Sequence, residues 1–66
     1  MISYKKLWKL LIDKELTKKD LCNLTGISTS TLNKLSKGLT VRTDVLCKIC
    51  KALNCDFGDI MEYIPE

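Results

Sequence analysis

Apolar residues recur along the chain at spacings of three and four, which is the period of an amphipathic helix. Cap and stop residues divide this pattern into five helical segments, and no stretch shows the alternation of a strand. The first helix is predicted over residues 4–14, with Ser3 as its N-cap. Its buried face holds Leu7, Leu10 and Leu11.

A second helix is predicted to begin after Thr17, whose hydroxyl can accept a bond from a free backbone N–H. Asp20 stands three residues later, where its carboxylate can reach back to the cap residue. Gly26 can adopt the left-handed conformation that ends a helix. Ser28 then caps a third helix over residues 29–37, so two short helices meet across a tight turn.

Gly38 ends the third helix, and a fourth is predicted from about Thr43 to a stop at Asn54. A final short helical turn follows over residues 57–61. The tail over residues 62–66 is predicted to be extended. The chain is therefore expected to be one all-α domain over residues 1–66, because 66 residues barely supply a single core.

Charge is unevenly distributed along the chain. The first 54 residues carry 11 basic and four acidic side chains, a net charge of +7, whereas residues 55–66 carry four acidic side chains and no basic one. A basic body favours a polyanionic partner. The alternative, that lysines simply keep a small protein soluble, stays open on charge alone.

The chain has four cysteines and no histidine. Cys47 and Cys50 form a C-x-x-C pair, with Cys55 after it, but the pair falls inside a helical run instead of the tight turn typical of zinc ligands. Small buried core residues are the favoured interpretation of the thiols. No metal and no cofactor are expected.

The outward positions of the third predicted helix hold hydroxyl, amide and ammonium groups, which hydrogen-bond base edges and phosphates. No carboxylate lies between Ser28 and Gly38, so this helix can approach a DNA duplex without repulsion. These outward residues are Thr29, Ser30, Asn33, Lys34 and Lys37.

The frame LTKKDLCNLTGISTSTLNKLSKG at 16–38, followed by VLCKICKALNCDFGDI at 45–60, resembles the phage-repressor and Cro-like helix-turn-helix regulators. These are also called the xenobiotic-response-element type. The resemblance covers about residues 7–61, and the tail Glu62-Tyr63-Ile64-Pro65 is similar to that of short bacterial members. It implies a five-helix, lambda-repressor-like DNA-binding domain with the helix-turn-helix at helices 2 and 3.

The resemblance also implies site residues. Base-reading positions are occupied by Thr29, Ser30 and Lys34. Lys18 stands where the family commonly has a Gln that touches a phosphate, so base preference does not transfer from relatives. Positions near the backbone-contacting surface are occupied by Asn33, Lys37, Thr40 and Arg42, with a minor-groove contact as an alternative for Arg42.

Two further departures come as a pair. Many relatives join a helix 1 Arg to a Glu at the end of helix 3, and the matching residues here are Leu11 and Ser36. Because both charged partners are absent, no unpaired buried charge remains, and the fold is still expected to form.

One recognition helix reads few base pairs, so a two-fold homodimer is expected, with its recognition helices roughly 34 Å apart. The predicted interface combines Trp8, which lies outside the core face of helix 1, with apolar tail residues. Those residues are Met61, Tyr63 and Ile64. The alternative is that all four cover the core of their own chain.

The main hypothesis is a sequence-specific transcription regulator of double-stranded DNA, a repressor acting by operator occupancy. Two alternatives stay open: a protein-interaction or antitoxin-like module, and a thiol or metal sensor using Cys47, Cys50 and Cys55. An enzyme is not expected, because the chain lacks histidine and a phosphate-cradling glycine loop. Without a secretory signal or membrane span, the chain is expected in the bacterial cytoplasm with no small-molecule ligand.

Overall fold

The computed structural model describes residues 1–65 and confirms the all-α helix-turn-helix class. Four α-helices, a 3-10 turn and a two-stranded ribbon follow one another: β1 Ile2–Ser3, α1 Lys5–Asp13, α2 Lys18–Thr25, α3 Thr29–Ser36, α4 Thr43–Leu53, the 3-10 turn Phe57–Asp59 and β2 Glu62–Tyr63. Among residues 1–65, no helix has the length and apolar character needed to cross a membrane.

The predicted cap of α2 is present in full. Thr17 Oγ1 accepts a bond of 3.1 Å from the backbone N–H of Asp20, and Asp20 Oδ2 accepts one of 2.8 Å from the N–H of Thr17. The bond from the backbone N–H of Thr17, followed by the Thr17 side chain, holds the pKa of Asp20 below its usual value, because it favours the ionised carboxylate. At the other end, Gly26 has φ +74°, as the helix-stop prediction requires.

One prediction about the chain ends is wrong: the fifth helix is a 3-10 turn of three residues. The tail begins in extended conformation as predicted, but Glu62–Tyr63 also pairs as a strand, which the sequence pattern did not predict. Ile2 pairs with Tyr63 and Ser3 with Glu62 in antiparallel register. Strands of two residues are too short for an alternation pattern, so the sequence carried no sign of them; residue 66 lies outside the described residues.

The predicted N-cap of α1 is also wrong. Tyr4 occupies the cap position and makes no side-chain cap bond. Ser3 lies one residue earlier, where its Oγ accepts a bond of 3.3 Å from the N–H of Lys5. Because Ser3 belongs to β1, pairing with Glu62 fixes its backbone before the helix begins.

Among the described residues, the core is formed by ten buried apolar side chains, seven from the four α-helices and three from the segments between elements. They are Tyr4, Leu7, Leu11, Leu21, Ile27, Leu35, Leu46, Ile49, Leu53 and Ile60. Helix α2 packs against both α3 and α4, and the 3-10 turn packs against α1 and α4. This packing leaves one side of α3 facing outward.

The four cysteines are free thiols and divide into two groups. Cys22, Cys50 and Cys55 are half-buried against the core, in agreement with the prediction of small core residues. Cys47 is exposed, so that prediction is wrong for Cys47. It stands one residue after the buried Leu46, which turns it about 100° away from the core on the helix.

Candidate nucleic-acid interface

The turn between α2 and α3 is fixed by hydrogen bonds made by its own residues, some of them to the last turn of α2. Thr25 Oγ1 donates to the carbonyl of Leu21 at 2.7 Å and accepts from the N–H of Ile27 at 3.3 Å. The N–H of Gly26 donates to the carbonyl of Cys22 at 2.8 Å. Sequence reasoning found the glycine but missed Thr25, although a hydroxyl beside a helix-ending glycine is a typical turn residue.

Helix α3 begins at a cap that matches the prediction. Ser28 Oγ accepts a bond of 3.2 Å from the N–H of Thr31, and the two hydroxyl oxygens lie 3.0 Å apart. Leu35 is buried and Leu32 packs against the core, so these two leucines define the inner side of the helix.

The opposite side of α3 and its C-cap hold five exposed residues. Their positions span less than half a turn of the helical wheel, because each residue advances by 100°. The structure therefore brings together Thr29, Ser30, Asn33, Lys34 and Lys37, the whole predicted contact set of this helix.

The loop after α3 is held against the start of the chain. Gly38 has φ +71°, and a Cβ added there would lie 3.2 Å from the carbonyl oxygen of Ile2. The N–H of Leu39 donates to the carbonyl of Lys34 at 2.9 Å, and its own carbonyl accepts a bond of 3.0 Å from the hydroxyl of Tyr4. These bonds hold Leu39 in place, directly before Thr40 in the loop.

Two predicted backbone contacts, Thr40 and Arg42, lie exposed on this loop. Arg42 Nε is 3.3 Å from Oδ1 of Asp44, but their side chains are 85% and 55% exposed. Such an exposed pair is weak, so the guanidinium stays available to a phosphate. Arg42 and Lys34 line the same small cleft, which places the loop beside the recognition helix.

Lys18, the remaining predicted phosphate contact, is held by two neighbours from other helices. Its Nζ donates to Ser36 Oγ at 3.2 Å and lies 4.4 Å from the centre of the Trp8 ring. Sequence reasoning singled out Ser36 as a departure from relatives but did not connect it to Lys18 or to Trp8.

Electrostatics favour an anionic partner on this side of the molecule. Between Thr17 and Arg42 the sequence has a single carboxylate, Asp20, and that group is engaged in the cap of α2. Just beyond this stretch, the Asp44 carboxylate lies 3.3 Å from Arg42. The same stretch carries four lysines and one arginine. A duplex of roughly one charge per 1.7 Å is attracted by such a surface.

The sequence model of the Cro/C1-type HTH DNA-binding domain matches residues 6–66. The chain belongs to this family. It is also similar to the crystal structure of the transcriptional regulator VanUg, with a TM-score of 0.95 and 54% sequence identity over 98% of this chain and 87% of that one. No curated protein matches the chain.

The predicted dimer residues of this Cro/C1-type domain lie in two places. Met61 and Tyr63 line a cavity of about 400 Å³ together with Phe57, and Tyr63 is 72% exposed. Trp8 lines a different cleft, among lysines of α1. Ile64 is half-buried, and its N–H donates to the carbonyl of Met1 at 2.8 Å.

The thiols of the Cro/C1-type domain form no recognisable metal centre. Within residues 1–65, no three His, Cys, Asp or Glu side chains are grouped so as to hold a metal ion. Burial, followed by the neighbouring Cys55, raises the pKa of the Cys50 thiol to about 11. A raised pKa disfavours the thiolate, which is the form that binds metals.

Proposed function

We propose that the chain is a transcriptional regulator that binds double-stranded DNA sequence-specifically and represses by occupying an operator. The observation that carries this proposal is the outer side of α3, where exposed hydroxyl, amide and ammonium groups stand together without a carboxylate. Membership of the Cro/C1-type family and the similarity to VanUg, a transcriptional regulator, support it.

In this proposal α3 enters the major groove and three of its residues read base edges. Thr29 and Ser30 lie in its first turn, where short hydroxyl side chains permit close approach to the bases. Lys34 lies one turn further along, where its ammonium can donate to guanine acceptors.

The phosphate backbone is contacted on both sides of the groove. Asn33 and Lys37 lie on the same outer side of α3 as the base readers, with Lys37 at the C-cap, and Lys18 approaches from the start of α2. Thr40 and Arg42 extend the contact along the loop before α4. These residues orient the domain on the duplex and supply most of its salt-dependent affinity.

The regulator binds as a homodimer in this proposal, with the apolar surface beside strands β1 and β2 as the interface. Met1, Phe57 and Tyr63 are large exposed apolar side chains near the two strands, and Met61 joins them at the cavity. A second copy covers this apolar surface and doubles the number of base pairs read.

Fluorescence anisotropy with labelled fragments of the source genome, across a salt series, tests the function. Specific fragments are expected to bind tightly, with log affinity falling linearly with log salt concentration. Lys37→Ala is expected to reduce that slope by about 1, whereas Lys48→Ala, on α4 beside Leu24, should leave it unchanged. Undetectable or salt-independent binding by the wild type contradicts the proposal.

Sedimentation equilibrium tests the homodimer separately. The wild-type chain is expected to sediment as a dimer and Tyr63→Glu as a monomer, because the substitution places a charge in the apolar interface. Leu24→Glu, at another exposed apolar position, is the matched control and should remain dimeric. A monomeric wild type at all concentrations, with or without DNA, argues against this interface.

A further inference from the structure

Three helices meet at the ammonium group of Lys18. The side chain leaves the first residue of α2, its Nζ donates to Ser36 Oγ at the last residue of α3, and it lies 4.4 Å from the ring of Trp8 on α1. Trp8 and Ser36 were assigned no part in DNA contact above. The same two residues line a cavity of about 220 Å³ together with Lys37.

The contacts leave the ammonium free to make a further bond. A lysine ammonium has three N–H donors and no acceptor. One donor is used by the Ser36 hydroxyl, and the ring of Trp8 attracts the cation through its electron-rich face without consuming a full hydrogen bond. The Lys18 side chain is exposed, so a donor remains for a group arriving from solvent.

Free lysine side chains lose considerable rotamer freedom when they are fixed on a ligand. Here the fixed position exists before the ligand arrives, because the aromatic ring and the hydroxyl each hold Nζ from a different helix. Preorganisation of this kind lowers the entropic cost of binding.

We propose that Trp8 and Ser36 are positioning residues that hold the Lys18 ammonium ready for a DNA phosphate. This inference rests on the proposed DNA-binding function and deepens it. The Lys18–Ser36 bond also joins the start of α2 to the end of α3. Trp8 acts through Lys18 and needs no contact with DNA.

Affinity measurements on single variants provide the first test. Trp8→Leu keeps an apolar side chain but removes the ring face, and Ser36→Ala removes the hydroxyl. Each is expected to weaken binding about twofold to fivefold, the size of one exposed cation–π contact. Trp8→Phe, which retains a ring, should fall between Trp8→Leu and the wild type.

The same substitutions made in a Lys18→Ala background separate positioning from a structural role. If Trp8 and Ser36 act through Lys18, then Trp8→Leu and Ser36→Ala cause no further loss of affinity once the ammonium is gone. A purely structural effect persists in both backgrounds and overturns the proposal. Lys48→Ala serves as the background control, in which both substitutions should retain their full effect.

Tryptophan fluorescence adds a readout independent of affinity, because Trp8 is the single tryptophan of the chain. DNA binding is expected to change Trp8 emission in the wild type, and the change should be largely lost in Lys18→Ala at saturating DNA. An equal change in both proteins contradicts the proposal. A wild type that binds no duplex at all counts against the proposed function, whereas tight binding undiminished by Trp8→Leu and Ser36→Ala counts only against the positioning role.

Discussion

The hydroxyl of Tyr4 donates a 3.0 Å hydrogen bond to the carbonyl of Leu39, and thereby joins the residue before α1 to the loop after α3. The two residues are 35 positions apart in the chain. The Tyr4 ring is buried in the core, so its hydroxyl is held at a fixed place at the edge of the recognition helix.

Removing that bond should lower stability. Tyr4→Phe keeps the buried ring but loses the donor, so the free energy of unfolding is expected to fall by about 1 kcal/mol. Urea denaturation followed by circular dichroism measures the change. Tyr63→Phe, at a residue that is 72% exposed, is the control and should leave stability nearly unchanged; equal losses in the two variants contradict a role for the bond.

Alkaline pH should weaken the fold through the same residue. Burial raises the pKa of Tyr4 above its ordinary value of 10.0, so the unfolded chain loses this proton first as pH rises. The stability contributed by the neutral hydroxyl is therefore fully present below pH 10.0 and is lost as pH rises from there through the raised pKa of the folded chain. The difference in free energy of unfolding between wild type and Tyr4→Phe should shrink over this pH range, and a constant difference contradicts the assignment.

Acid pH should act on the cap of α2. The pKa of Asp20 is lowered chiefly by the bond from the backbone of Thr17, so the folded chain keeps this carboxylate ionised below the ordinary value of 3.8. Its stabilising effect is present above that pH and is lost as pH falls through the lowered pKa. Asp20→Asn should reduce the acid dependence of unfolding, whereas Asp13→Asn at the end of α1 should retain it.

Thiol labelling should discriminate between two cysteines on α4. Cys47 is exposed, whereas Cys50 is half-buried with a pKa of about 11. Because the thiolate is the reactive form, iodoacetamide near neutral pH should modify Cys47 first and Cys50 last. Peptide mapping by mass spectrometry measures the order, and faster labelling of Cys50 in the folded chain contradicts it.

Local signals in the sequence were sufficient for most of the helical frame. Helix starts and stops depend on bonds or backbone angles within a few residues, so they can be predicted locally. The structure confirms the caps predicted at Thr17 with Asp20, Gly26, Ser28 and Asn54. The exposed side of α3 follows from the same periodicity. Cys47 was misplaced because thiols are usually buried, although its position beside Leu46 on the helix indicates exposure.

Features that depend on distant pairs were not predictable in the same way. The ribbon needs Ile2 to meet Tyr63 across the whole chain, and neither strand is long enough to show a pattern. The contact of Lys18 with Trp8 and Ser36 depends on how three helices are placed relative to one another. Spacing along one helix carries no information about that placement.

The central claim is that the outer side of α3 reads a DNA sequence, and selection of bound duplexes from a random pool tests it most directly. The wild type is expected to enrich an inverted repeat whose half-sites are about one helical turn apart. A variant carrying Ser30→Ala and Lys34→Ala should enrich a different or weaker motif while still binding duplexes. Failure of the wild type to enrich any motif, or an unchanged motif in the variant, contradicts the account.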